Sequence, residues 1–132
     1  MISSSNFAKN VAWDKSVIMV LQNSVLDIYS STFEENFSFD KGGVIRGDYK
    51  GTKTYIWNSS FVKNGALQGG VIAPLYESKI VCDTCHFESN FGFEGGVVFS
   101  TNHGFTEMNN ATIIKNFAFS VKIGEFLDTI NL

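Results

Sequence analysis

Apolar and polar positions along this chain recur at a fixed interval. The stretch Ser59-Ser60-Phe61-Val62-Lys63-Asn64-Gly65-Ala66-Leu67-Gln68-Gly69-Gly70-Val71-Ile72 returns as Cys85-His86-Phe87-Glu88-Ser89-Asn90-Phe91-Gly92-Phe93-Glu94-Gly95-Gly96-Val97-Val98. It stands again at Ser31 to Ile45, with one extra residue, and in weaker form from Phe7 to Ile18 and from Ile113 to Ile123. The anchor asparagines Asn10, Asn36, Asn64, Asn90 and Asn116 are 26, 28, 26 and 26 residues apart, each three places after Phe7, Phe33, Phe61, Phe87 or Ile113. A fixed period in this range marks a solenoid, in which each repeat buries its apolar face against its neighbours.

The elements within each period are short. Thr54-Tyr55-Ile56-Trp57 and Lys79-Ile80-Val81-Cys82 are β-rich and bounded by Gly and Asn. Nothing offers the ten or more residues at spacings of three and four that a helical solenoid needs. The pattern predicts an all-β, single-stranded parallel β-helix of about five coils, approximately 1–23, 24–51, 52–78, 79–103 and 104–132, in one domain. The handedness of parallel crossovers makes it right-handed. At about 4.8 Å per coil the rod is roughly 24 Å long, with open β edges at both ends. We therefore expect it to belong to a longer array or to meet neighbouring copies end to end.

Equivalent residues of successive coils stack like on like. The columns Ile2, Ile28, Ile56, Cys82, Met108 and Ser5, Ser31, Ser59, Cys85, Ala111 are expected to face inward. So are the small column Ala12, Ser38, Ala66, Gly92, Ala118 and the large column Trp13, Phe39, Leu67, Phe93, Phe119. Each ring of a buried Phe column contributes about 1.5–3 kcal/mol. The asparagines are expected to form a hydrogen-bonded ladder at a turn. The pairs Gly42-Gly43, Gly69-Gly70 and Gly95-Gly96 suit a bend with positive φ or no room for a Cβ.

Gly-Gly-Val-Ile at 42–45 and 69–72, Gly-Gly-Val-Val at 95–98 and Phe-x-x-Asn at 33–36, 61–64 and 87–90 resemble the repeat pair of the polymorphic outer membrane proteins. These are surface autotransporter adhesins. The resemblance spans nearly the whole chain and departs at Lys15-Ser16 and Val121-Lys122, where the glycine pair is missing. It implies a right-handed parallel β-helix, a role as a surface passenger or adhesion scaffold, and no catalytic residues.

Composition narrows the partners. A net charge of −3, with nine Lys and one Arg, gives no basic footprint for nucleic acid. No apolar run approaches the 18 or so residues of a membrane helix. Met1-Ile2-Ser3-Ser4-Ser5-Asn6 lacks the basic and apolar regions of a signal peptide, so a secretion signal would lie outside this sequence.

Candidate chemistry is sparse. Cys82-Asp83-Thr84-Cys85-His86 matches the haem attachment pattern, but the columns turn both cysteines inward and put His86 with the polar set Thr32, Ser60 and Thr112. Two buried thiols, or a local disulfide between Cys82 and Cys85, are the readings kept, and no metal or cofactor is expected. Arg46-Gly47-Asp48, a tripeptide some integrin ligands use, opens the loop expected to protrude furthest, 47–51, although a bend needs a glycine there in any case. Of three glycosylation sequons, Asn36 belongs to the buried ladder, whereas Asn58 and Asn110 share an outward turn column.

The exposed acids scatter. Asp14, Asp40 and Glu94 are separated by Gln68, no convergent catalytic group appears, and an enzyme is not expected. The alternating column Lys9, Glu35, Lys63 suits weak cross-strand pairing. Tyr29, Tyr49, Tyr55 and Trp57 are candidate contacts for sugars or proteins. The sequence thus points to an adhesion or structural scaffold in an extracellular or cell-surface protein, with a protein or glycan partner. Its alternatives are a fragment of a polysaccharide-active β-helix enzyme and a subunit that assembles through its open edges.

Overall fold

The computed structural model describes residues 1–120, which contain strands and turns and no helix. The first repeat supplies β1 (Ile2–Ser3), β2 (Asn6–Ala8), β3 (Val11–Ala12) and β4 (Ile18–Leu21). The second supplies β5 (Val25–Tyr29), β6 (Thr32–Glu34), β7 (Phe37–Lys41) and β8 (Ile45–Asp48). The third supplies β9 (Lys53–Trp57), β10 (Ser60–Val62), β11 (Gly65–Gln68) and β12 (Ile72–Pro74). The fourth gives β13 (Lys79–Asp83), β14 (His86–Glu88) and β15 (Phe91–Glu94), and the fifth β16 (Phe105–Asn109), β17 (Thr112–Ile114) and β18 (Phe117–Ser120).

Corresponding strands pair in parallel, making three sheets of five strands and a fourth of three, β4, β8 and β12. The fourth repeat joins the fourth sheet only through the bridges Ile72↔Val98 and Leu75↔Thr101. The result is a β-solenoid of about 4 turns, a little short of the five coils the repeat predicts. The end of the fifth coil, with Val121-Lys122, lies outside the described residues.

The stacking expected of a solenoid is present in register. Phe61 pairs with Phe33 on one side and Phe87 on the other. The rings from Phe7 to Phe33, Phe61 and Phe87 stack at 5.1, 4.9 and 5.0 Å, and the last three are fully buried. Ile28, Ile56, Cys82 and Met108 pack beside them as the column analysis predicts.

The asparagine ladder closes the turn after the second sheet. Asn64 Oδ1 accepts both the backbone N–H and Nδ2 of Asn36, at 3.0 and 2.9 Å. Asn64 Nδ2 in turn donates to the Phe33 carbonyl and to Asn90 Oδ1. Asn90 and Asn116 repeat the arrangement. Each asparagine thus satisfies backbone that the Phe ladder would otherwise bury unpaired.

A second ladder runs through the serines. The N–H of Ser5 donates to Ser31 Oγ and that of Ser31 to Ser59 Oγ, before Cys85 takes the serine's place. The glycine pairs do both things asked of them. Gly42, Gly69 and Gly95 have φ near +70° (71, 68 and 68), and a Cβ on Gly43 or Gly70 would strike the carbonyls of the neighbouring coil.

Two local expectations need correction. The loop expected to protrude at 47–51 is a tight turn, because Gly47 and Asp48 belong to β8 and only residues 49–51 lie beyond it. Pro74 ends β12 rather than marking the turn itself. Its strand sits at the margin of the fourth sheet's ladder, where a missing N–H is tolerated.

Candidate functional site

Side chains alternate along a strand, one in and the next out. On the third sheet, built from β3, β7, β11, β15 and β18, the inward residues Ser38, Ala66 and Gly92 are buried. Their large neighbours must then face outward. Trp13, Phe39, Leu67, Phe93 and Phe119 are 77, 41, 48, 52 and 69% exposed. This corrects their expected interior place: two adjacent columns cannot both point into the core of one strand.

The same alternation puts Val11, Phe37, Phe91 and Phe117 on the outer surface, with Gly65 in register between Phe37 and Phe91. The outward face of the third sheet is therefore almost wholly apolar. The other faces are mixed. The first sheet presents Lys53, Lys79 and Glu107 among its aromatics, and the second presents Thr32, Glu34, Ser60, His86 and Glu88. A contiguous apolar surface of this kind is uncommon on a folded protein, which makes this face the candidate site.

Its rings are organised. Trp13 lies on Phe39 with centroids 4.5 Å apart and planes within 10°, and Phe93 lies on Phe119 at 5.6 Å. Phe37 meets Phe39 edge to face at 4.9 Å. The array is interrupted at the third repeat, where Leu67 takes the ring's place and Gly65 has no side chain.

Beside this interruption the structure gathers polar groups that the sequence reading leaves scattered. The extra residue of the second repeat produces a β-bulge: Ala66 pairs with Ser38, but Gln68 pairs with Lys41, so Phe39 and Asp40 together oppose Leu67. Asp40, Gln68 and Glu94, with Leu67 and Phe93, line a cleft of about 380 Å³. Arg46 Nη1 and Lys41 Nζ hold the Asp40 carboxylate at 2.6 and 3.1 Å, and Gln68 Nε2 donates to Glu94 Oε2 at 2.7 Å.

The remaining candidates fall into place individually. The Arg46-Gly47-Asp48 tripeptide is not displayed for a receptor. Arg46 Nε pairs with Asp48 Oδ2 at 2.9 Å, and the two side chains are only 12 and 4% exposed. Cation and carboxylate bind each other in place of an outside partner, so the possible loop contact is not offered by this geometry.

Cys82 and Cys85 are buried free thiols. A hydrogen bond between them, with burial adding, raises the Cys82 thiol well above its ordinary value. The same hydrogen bond, helped by the Ser59 N–H, lowers Cys85. His86 stands apart on the outer surface, 3.1 Å from Glu88, so the haem-like pentapeptide does not converge on one pocket. Asn36 is buried in its ladder, whereas Asn58 and Asn110 sit exposed at corners with positive φ.

Tyr29 and Trp57 stack at 4.6 Å on the first sheet, and Tyr49 and Tyr76 at 6.0 Å beside the fourth. The charged column pairs as expected and loosely, Lys9 and Lys63 reaching Glu35 at 3.8 and 3.9 Å in solvent. No helix among the described residues is long and apolar enough to cross a membrane. No family model matches the chain, and searches of curated proteins and of solved structures return no match.

The outward face escapes a reading by columns alone. Two signals in the sequence carry it: alternation within Phe37-Ser38-Phe39, and the extra residue that places Asp40 beside the Leu67 gap.

Proposed function

We propose that this chain is a non-enzymatic scaffold module of an extracellular or cell-surface protein, whose solenoid holds the aromatic face of the third sheet toward an adhesion partner. The observation that supports this is the outward placement of Trp13, Phe39, Leu67, Phe93 and Phe119 in one ordered, solvent-facing column. A solenoid suits the task because hydrogen bonds between coils fix the spacing of such a column independently of the partner. Aromatic side chains contribute large contact area at low entropic cost and dominate interface energetics. The resemblance of the Gly-Gly-Val-Ile and Phe-x-x-Asn repeats to those of surface adhesins favours the same reading.

The test is adhesion of beads coated with the protein to cultured epithelial cells, comparing wild type with the triple variant Trp13→Ser, Phe39→Ser, Phe93→Ser. Adhesion is expected to fall at least about tenfold, the loss of a hot spot. Equal adhesion by the two proteins would overturn the reading.

Assembly end to end is a second reading favoured by the asparagine ladder. Asn36, Asn64 and Asn90 each accept from the coil before and donate to the coil after, a pattern that a further coil can continue. Light scattering that rises with protein concentration, with filaments in negative stain, would support it, and a concentration-independent monomer would remove it.

A further inference from the structure

We propose that Cys82, Cys85 and Met108 form a binding site for a soft monovalent metal ion, typified by monovalent copper, inside the corner between the first and second sheets. This site lies apart from the aromatic face and is independent of the adhesion reading.

Two inward columns meet at this corner. The position before it holds Ile2, Ile28, Ile56, Cys82 and Met108, and the position after it holds Ser5, Ser31, Ser59, Cys85 and Ala111. In the fourth repeat the aliphatic side chain and the hydroxyl give way together, and both become cysteine, the chain's only two. The fifth repeat then sets a thioether beside the first of them. Packing calls for an apolar group at one position and a hydroxyl at the other, and it gives no reason for sulfur at three neighbouring places.

The fold brings these sulfur residues together. Cys82 on β13 pairs in register with Met108 on β16. Thr84, with a φ of 54°, turns the chain between the two cysteines, and their thiols hydrogen-bond to each other. Cys82, Cys85 and Met108 belong to one core cluster and are 0, 2 and 1% exposed. Methionine is unbranched and flexible, so its sulfur adapts to a neighbouring group. Thr84 itself is exposed, which puts both thiols just beneath the surface of the corner.

Cys85 also inherits the serine's place in the ladder. The Ser31 N–H donates to Ser59 Oγ at 3.1 Å, and the Ser59 N–H donates in the same way to Cys85. A backbone donor already aimed at this sulfur supports a thiolate there.

Ligand softness decides the ion. Thiolate and thioether ligands select monovalent copper, whereas calcium and magnesium require oxygen. Zinc takes four ligands, and among the described residues His, Cys, Asp and Glu gather nowhere in threes. A third donor that is a thioether also falls outside the haem pattern of the pentapeptide. On binding, each thiol forms a sulfur–metal bond and gives its proton to water, while Met108 donates a lone pair without adding charge. Two protons leave per ion, and no oxidation state changes.

The experiment is titration of the whole reduced chain, without oxygen, with the bicinchoninate complex of monovalent copper. One copper per chain is expected to pass to the protein, with sulfur atoms alone as its neighbours in X-ray absorption. Two variants are chosen to keep the fold. Cys85→Ser restores the hydroxyl of Ser31 and Ser59, and Met108→Leu keeps an apolar side chain of similar volume. Cys85→Ser should lower the affinity at least about a hundredfold, since even the outer partners of metal ligands are worth about 10–100-fold. Met108→Leu should lower it at least about tenfold and remove one sulfur neighbour. Copper should also raise the melting temperature of the wild type and leave that of Cys85→Ser unchanged. Copper that stays with bicinchoninate, or that Cys85→Ser binds as well as the wild type, overturns the proposal. An unchanged sulfur count in Met108→Leu overturns it too.

Discussion

Two aromatic ladders run along this molecule, and they differ in everything except their period. The inner one, Phe7, Phe33, Phe61 and Phe87, is buried at its centre, its rings stacked at about 5 Å (5.1, 4.9 and 5.0 Å) against an aliphatic core. The outer one, Trp13, Phe39, Leu67, Phe93 and Phe119, lies on the solvent side of the third sheet. The inner ladder is backed by asparagine amides donating to the carbonyls of Phe7, Phe33, Phe61 and Phe87. Among the described residues the outer ladder has no such support, and it is broken by a leucine. A repeated aromatic column is therefore evidence of stacking, and only the residues beside it in the strand tell whether the stack is core or surface.

Mutations should separate the two. The largest effect is expected from Phe61→Ala, which opens a cavity at the centre of the inner ladder and should lower the unfolding free energy by about 3–5 kcal/mol in urea titrations. Asn64→Ala comes next, at about 1–3 kcal/mol, because it leaves buried groups of Asn36, Phe33 and Asn90 without their partner. A change near zero would take Asn64 out of the supporting ladder. Phe39→Ser should cost less than about 1 kcal/mol, losing chiefly its stacking on Trp13.

The smallest effect is expected at Glu107, a partly exposed surface group on the first sheet. Its carboxyl is held below the usual range, first by the hydrogen bond from Asn109 and then by Lys79. A depressed carboxylate pKa contributes stability above the unfolded value and loses it as pH falls through the folded one. Thermal melts of wild type and Glu107→Gln should therefore differ slightly at neutral pH and converge in acid.

Much of the fold was legible because parallel stacking turns period into contact. The spacing of Asn10, Asn36, Asn64, Asn90 and Asn116 placed the turn ladder, and Ile28, Ile56 and Cys82 were found in the core where their column put them. The glycine pairs were equally readable, since positive φ and close backbone approach both exclude other residues. The site was less so. Trp13, Phe39 and Phe93 look like core by hydrophobicity, and burial there is decided by alternation against Ser38 and Gly92. Asp40 joins Gln68 and Glu94 only through a bulge, which a column alignment treats as a gap. Arg46-Gly47-Asp48 was legible as a motif but not as a strand: a tripeptide known from exposed loops here lies on β8, with its charges closed on each other.

The most direct test of the distinction between the ladders is urea unfolding, followed by far-ultraviolet circular dichroism, of the quadruple variant Trp13→Ser, Phe39→Ser, Phe93→Ser, Phe119→Ser. If the outer ladder is a binding surface, the variant keeps the β signal and unfolds cooperatively, with a free energy within about 2 kcal/mol of wild type. A variant that has lost its β structure would show that the outer rings hold the solenoid together, and would contradict the account.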